Sequence, residues 1–137
     1  MALHSLQFAL WVAGAIQTGI VLVNAALPSK LRVREGTAAM PSFLRQVFIV
    51  HWIYIVLMVA LFSALSFAFT RDLAGATTLG RFLSATIALF WLLRLLLQVF
   101  FYDPQLRREN RALDLVYNAS LIVLAAIFGF AAIHPLA

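Results

Sequence analysis

Arg94 and Gln98 stand four residues apart in an apolar stretch, residues 90–103, that reads FWLLRLLLQVFFYD. On a helix that spacing puts both side chains on one face. A guanidinium among so many apolar side chains is costly to bury, so Arg94 is a candidate for holding an anionic headgroup or a carbonyl. Each of the other apolar stretches also carries polar groups. Gln17 and Asn24 lie seven apart in the first, His51 stands in the second, and Asp114 and Asn118 lie four apart in the fourth.

Depth can be counted from the basic loops at about 1.5 Å per residue. Asn24 then lies about 5 Å in, Gln98 about 6 Å, His51 and Asn118 about 8 Å, Arg94 about 12 Å and Gln17 about 15 Å. The expected arrangement is one polar layer of Asn24, His51, Gln98 and Asn118, with Arg94 and Gln17 above it and Tyr54 and Tyr102 at its mouth. Asp114 is the expected ion-pair partner of Arg94, with Asn118 second. Two uses of this layer are open. It can hydrogen-bond helices in register, at roughly 0.6 kcal/mol per contact. It can also line a pocket that admits a polar head, with the tail of a lipid or quinone among Met58, Phe62 and Phe90. Its concentration toward one side of the membrane favours the pocket; the countercase is that polar groups near a boundary are cheaper than central ones, so the lopsidedness counts only mildly.

His51 raises a second chemistry, axial ligation of haem. A membrane b-type haem takes two imidazoles, and His4 and His134 fall at the opposite ends of their segments. One chain cannot complete such a site, whereas His51 from two copies could. A neutral, hydrogen-bonded His51 is the simpler reading. His4 and His134 by themselves make a weak metal pair. The chain has no cysteine, which excludes disulfides and thiolate metal sites. No serine has a histidine and carboxylate placed to activate it. No metal motif or phosphate-cradling glycine loop occurs. The span centres hold no carboxylate, which weakens proton-coupled transport.

Four apolar segments must position these residues: about 6–27, 46–69, 82–102 and 113–134. The composition, 64% hydrophobic and 11% charged in 137 residues, lies far above the soluble norm of roughly 45–50% apolar. Each segment is long enough to cross a bilayer as a helix. The expected fold class is therefore all-α, a single domain over residues 1–137 of four transmembrane helices in an up-down-up-down antiparallel bundle. Residues 23–26 resemble a signal-peptidase site, but no basic residue precedes the first segment, so a retained helix is expected. Pro28, Gly36 and Pro41 predict a loop between the first two segments, and residues 103–112 predict another. Pro135 is expected to stop the fourth segment. The stripe Ala13/Gly14, Gln17/Thr18 and Val21, small at several positions, permits close helix contact. On the second segment His51, Ile55, Met58, Phe62 and Leu65 form the matching stripe. Ser63, Ser66, Ser84 and Thr86, in the other half, are expected to bond their own helix carbonyls.

Charge sets the expected threading. Lys30, Arg32, Arg34, Arg45, Arg107, Arg108 and Arg111 flank one side, against Arg71 and Arg81 on the other. The positive-inside bias makes the first side cytoplasmic and both termini non-cytoplasmic. The net charge of +5 is thus topological, and no nucleic-acid partner is expected. The arginine-rich basic set suggests a bacterial inner membrane. The expected function is a non-enzymatic accessory subunit or binder of a lipid-like ligand. The alternative is a membrane redox or transfer enzyme acting on a quinone or isoprenoid. Membrane lipids, a larger membrane complex or a second copy are the candidate partners.

Overall fold

A computed structural model describes residues 2–30 and 32–134, and helix is the only regular secondary structure among them. The elements are α1 (Ala2–Lys30), α2 (Val33–Gly36), α3 (Ser42–Ala68), α4 (Thr70–Ala74), α5 (Thr78–Phe100), α6 (Pro104–Glu109) and α7 (Arg111–Ile133). Helices α1, α3, α5 and α7 are long and apolar enough to cross a membrane. At 1.5 Å per residue even the shorter two reach about 35 Å, more than the roughly 30 Å of a hydrocarbon core. Their outer faces are apolar: Phe8, Leu22, Ile53, Leu57, Leu93, Val116 and Ile122 are all exposed. A helix hydrophobic on every side belongs in a protein interior or in lipid. With so much of that surface uncovered, lipid is the solvent that suits it.

The long helices pack in the order α3–α1–α7–α5. The pairs α1/α3, α1/α7 and α5/α7 are in contact, with α5/α7 the most extensive. Consecutive spans were expected to pack as neighbours, but α3 and α5 do not pack closely against each other. Instead α4 is inserted at one end of the molecule, where it touches α1, α3, α5 and α7. Thr70, Leu73 and Ala74 of this short helix are buried. Gly80, in the first turn of α5, allows the fit, since a Cβ there would collide with the Asp72 carbonyl oxygen. The core runs from Leu10, Ala13, Leu73 and Ala74 through Phe62, Ile87 and Trp91 to Leu121, Leu124 and Phe128.

Several expected boundaries move. Pro28 lies inside α1, which continues to Lys30. Proline cannot donate to the Asn24 carbonyl one turn back, yet so near a helix end few later hydrogen bonds depend on that turn. The chain then reverses at Arg32, whose φ of 46° is left-handed. The link before α5 and the basic segment before α7 both contain helix, α4 and α6. Pro104 opens α6, and the Asp103 carboxylate accepts from the Gln105 N–H at 2.8 Å. Pro135 lies outside the described residues; α7 ends at Ile133, and the His134 N–H returns to the Phe130 carbonyl at 2.8 Å.

The half near α4 is more polar than expected. Ser63 Oγ reaches the Gly14 carbonyl on α1 at 2.9 Å and the Thr18 hydroxyl at 2.8 Å. Thr18 Oγ1 also approaches Gly14 O at 2.9 Å. Each hydroxyl has one proton, so one serves the carbonyl while the other bridges the two oxygens. Ser84 donates to the Leu73 carbonyl of α4 at 3.1 Å. These serines join different helices rather than only capping their own, because α1 and α4 approach them closely. Thr86 does bond its own helix, at Phe82 O, 2.8 Å away.

Candidate functional site

A cavity of about 620 Å³ lies along the α3/α5 seam, at the end away from α4. Its polar side chains are Asn24 from α1, His51 from α3, and Arg94 with Tyr102 and Tyr117 from the α5/α7 side. Ile20, Ile55, Val59, Phe90 and Trp91 form apolar wall. The seam closes toward α4 where Phe62 and Phe90 meet edge to face, their centroids 5.0 Å apart. Trp91 follows, also edge to face, 5.2 Å from Phe90. The volume falls within the roughly 300–1,000 Å³ of small-molecule sites.

Arg94 dominates the polar end. Its Nη1 donates to Gln98 Oε1 at 3.1 Å, the contact expected of residues one turn apart. The guanidinium carbon sits 5.4 Å from the centroids of both Tyr102 and Tyr117, inside cation–π range of about 6 Å. The expected Arg94–Asp114 ion pair is not formed. Gln98 stands between them and donates from Nε2 to Asp114 Oδ1 at 3.2 Å. Asp114 belongs instead to Arg107 of α6. Arg107 Nε reaches both carboxylate oxygens at 3.1 and 3.2 Å, and Nη2 reaches Oδ2 at 3.1 Å. The remaining nitrogen, Nη1, donates to the Val99 carbonyl at 3.2 Å, in the last turn of α5. A planar fork that satisfies a carboxylate with two nitrogens and a helix-end carbonyl with the third is a better partner than a distant Arg94. Arg107 was expected only as loop charge, and the helical structure of α6 is what brings it to Asp114.

His51 Nδ1 lies 2.8 Å from the Val47 carbonyl one turn back. A carbonyl only accepts, so Nδ1 is the donor in this contact, and in the neutral form of the ring the lone pair is then on Nε2. His51 is the only histidine lining the cavity, so a bis-histidine haem would need an imidazole from another chain. Among the described residues, no three metal-ligating side chains cluster. Asn24 donates to the Ile20 carbonyl at 2.8 Å, which leaves its amide oxygen and its second amide N–H as the groups it can present.

The other expected site residues lie elsewhere. Gln17 is fully buried and faces α3 near the α4 end, where Ser66 Oγ is 3.1 Å from Oε1. Its Nε2 has no partner among the described residues. Asn118 does not line the cavity, and its buried Oδ1 is also without a partner. Tyr54 is 69% exposed on the outer face of α3, because the inward stripe runs through Val59, Phe62, Ser63 and Ser66 and Tyr54 lies well round the helix from it. Met58 is exposed for the same reason. Gln98 borders a separate recess with Asp114 and Arg107. Trp52, Trp91 and Tyr117 were not expected at the site. Tyr117 had a signal, since it lies three residues from Asp114 and so on the same face of α7.

No protein-family model, characterised protein or solved structure matches this chain.

Proposed function

We propose that the chain is an integral membrane protein that binds a lipid-like molecule, acting as a binding or accessory protein rather than an enzyme. The observation that carries this reading is the seam cavity. It is largely apolar, and Asn24, His51 and Arg94 bring polar side chains to it. Four up-down spans put the basic segments around α2 and α6 on the cytoplasmic side of a bacterial inner membrane, with both termini outside. The cavity then opens in the cytoplasmic half, near the headgroups.

An enzyme acting on a quinone or isoprenoid has less support. Arg94 offers a quinone carbonyl a donor, but holding a carbonyl is binding and not turnover. Among the described residues no carboxylate lines the cavity to take or return a proton.

Native mass spectrometry of the protein released from mild detergent tests the reading. The wild type is expected to retain a small amphiphile, and Val59→Trp, which fills the apolar wall, is expected to lose it. A wild type that carries nothing and takes up no added lipid leaves only a packing role.

A further inference from the structure

We infer that the seam cavity selects a single-chain amphiphile with a compact anionic head, which enters sideways between α3 and α5; this rests on the binding role proposed above. The inference begins with charge. Arg94 is half-buried in an apolar span, and no carboxylate among the described residues lies within ion-pair distance of it. The nearest acid along its hydrogen-bond chain, Asp114, is held by two nitrogens of Arg107. Gln98 gives Arg94 a neutral oxygen, and two tyrosine rings give it quadrupoles. None of these cancels a full positive charge. A cation at that depth is stabilised chiefly by an anion, so the missing partner is one that the chain does not supply.

The cavity sets the rest of the ligand. Its wall is apolar, with Ile55, Val59, Phe90 and Trp91 leading away from Arg94 toward the closed Phe62–Phe90 contact. About 620 Å³ accommodates one chain and a small head, not a two-chain phospholipid. The entrance follows from packing. Every other neighbouring pair of long helices is in contact, and only α3 and α5 leave a seam. An amphiphile already in the bilayer can slide its tail through that seam without leaving hydrocarbon. With Nδ1 turned to the Val47 carbonyl, the Nε2 edge of His51 separates two head chemistries. A monoalkyl phosphate monoanion keeps one acidic proton that it could share with Nε2, and a carboxylate has none.

The test uses the full chain in nanodiscs of zwitterionic phospholipid, titrated with brominated forms of palmitate, hexadecyl phosphate and hexadecanol. Quenching of Trp52 and Trp91, which line the cavity, reports binding. At least one anionic probe should bind roughly 10- to 100-fold tighter than the alcohol, the range for one charge-assisted hydrogen-bonded contact. Arg94→Gln should remove the difference, and Arg94→Lys should keep part of it. Arg107→Gln, outside the cavity, should weaken anion binding by releasing Asp114 toward Gln98 and Arg94. Hexadecyl phosphate alone losing affinity in His51→Ala would assign the phosphate head. Equal binding of alcohol and anions by the wild type overturns the anionic head while leaving the binding role standing. Anion preference that survives Arg94→Gln also overturns it. If none of the three probes binds, the binding role itself fails.

Discussion

Replacing Gln17 with leucine should stabilise the protein, although it deletes a buried hydrogen bond. Gln17 is completely buried. Its Oε1 shares the Ser66 hydroxyl with the Phe62 carbonyl, which is closer, 2.8 against 3.1 Å. Its Nε2 has no partner among the described residues. Exchanging the amide oxygen and nitrogen would let Nε2 donate to Ser66 and orphan the oxygen instead, so one polar atom is unsatisfied in either orientation. An orphaned buried polar group costs about 1–3 kcal/mol. The hydrogen bond lost contributes about 0.6 kcal/mol between membrane helices, and Ser66 keeps its bond to Phe62. Leucine is close to glutamine in volume, so little repacking strain is added. The balance favours Gln17→Leu by about 1 kcal/mol, or roughly 3–5 °C in Tm. Gln17→Ala removes the same polar atoms but leaves a void, and should lower stability by about 1 kcal/mol or more. Thermal unfolding in detergent, followed by tryptophan fluorescence, measures both. A Gln17→Leu variant less stable than wild type by 1 kcal/mol or so would refute the reasoning, for it would mean that Nε2 has a partner such as a buried water.

Gly80→Ala should destabilise by about 1–3 kcal/mol, because its Cβ meets the Asp72 carbonyl; Gly19→Ala, which has open space, is the control and should leave Tm unchanged or slightly raised in the same melt. Arg107→Ala removes the bonds that tie α6 to Asp114 and Val99 and should lower Tm, with amide exchange in residues 104–109 rising first. For the threading, alkaline phosphatase fused after the last residue should be active in a bacterial host, and a fluorescent green fusion there would reverse the orientation. The purified protein should show no Soret band, which ordinary visible absorbance checks.

The sequence by itself determined the solvent and the number of spans. Apolar length and composition act locally, and a long helix apolar on every face, with that surface left uncovered by its neighbours, suits lipid. It also located the polar groups along each span, and the spacing of Arg94 and Gln98 is enough to explain their bond. Helix ends were less legible. Pro28 and the basic segments look like loop residue by residue, yet α1 runs past its proline, and Asp103 and Pro104 start a helix. Partner choice was decided only by the tertiary structure. Whether Asp114 meets Arg94 or Arg107 depends on where α6 lies, and a count of depth along each helix has no coordinate across the gap between helices. The same holds for Gln17, which by depth shares a layer with Arg94 but by rotation about α1 faces Ser66. Tyr54 was misplaced by one such rotation too. The α3/α5 seam is likewise a tertiary outcome: α4, fitted beside Gly80, packs against all four long helices at one end, and the cavity lies at the other.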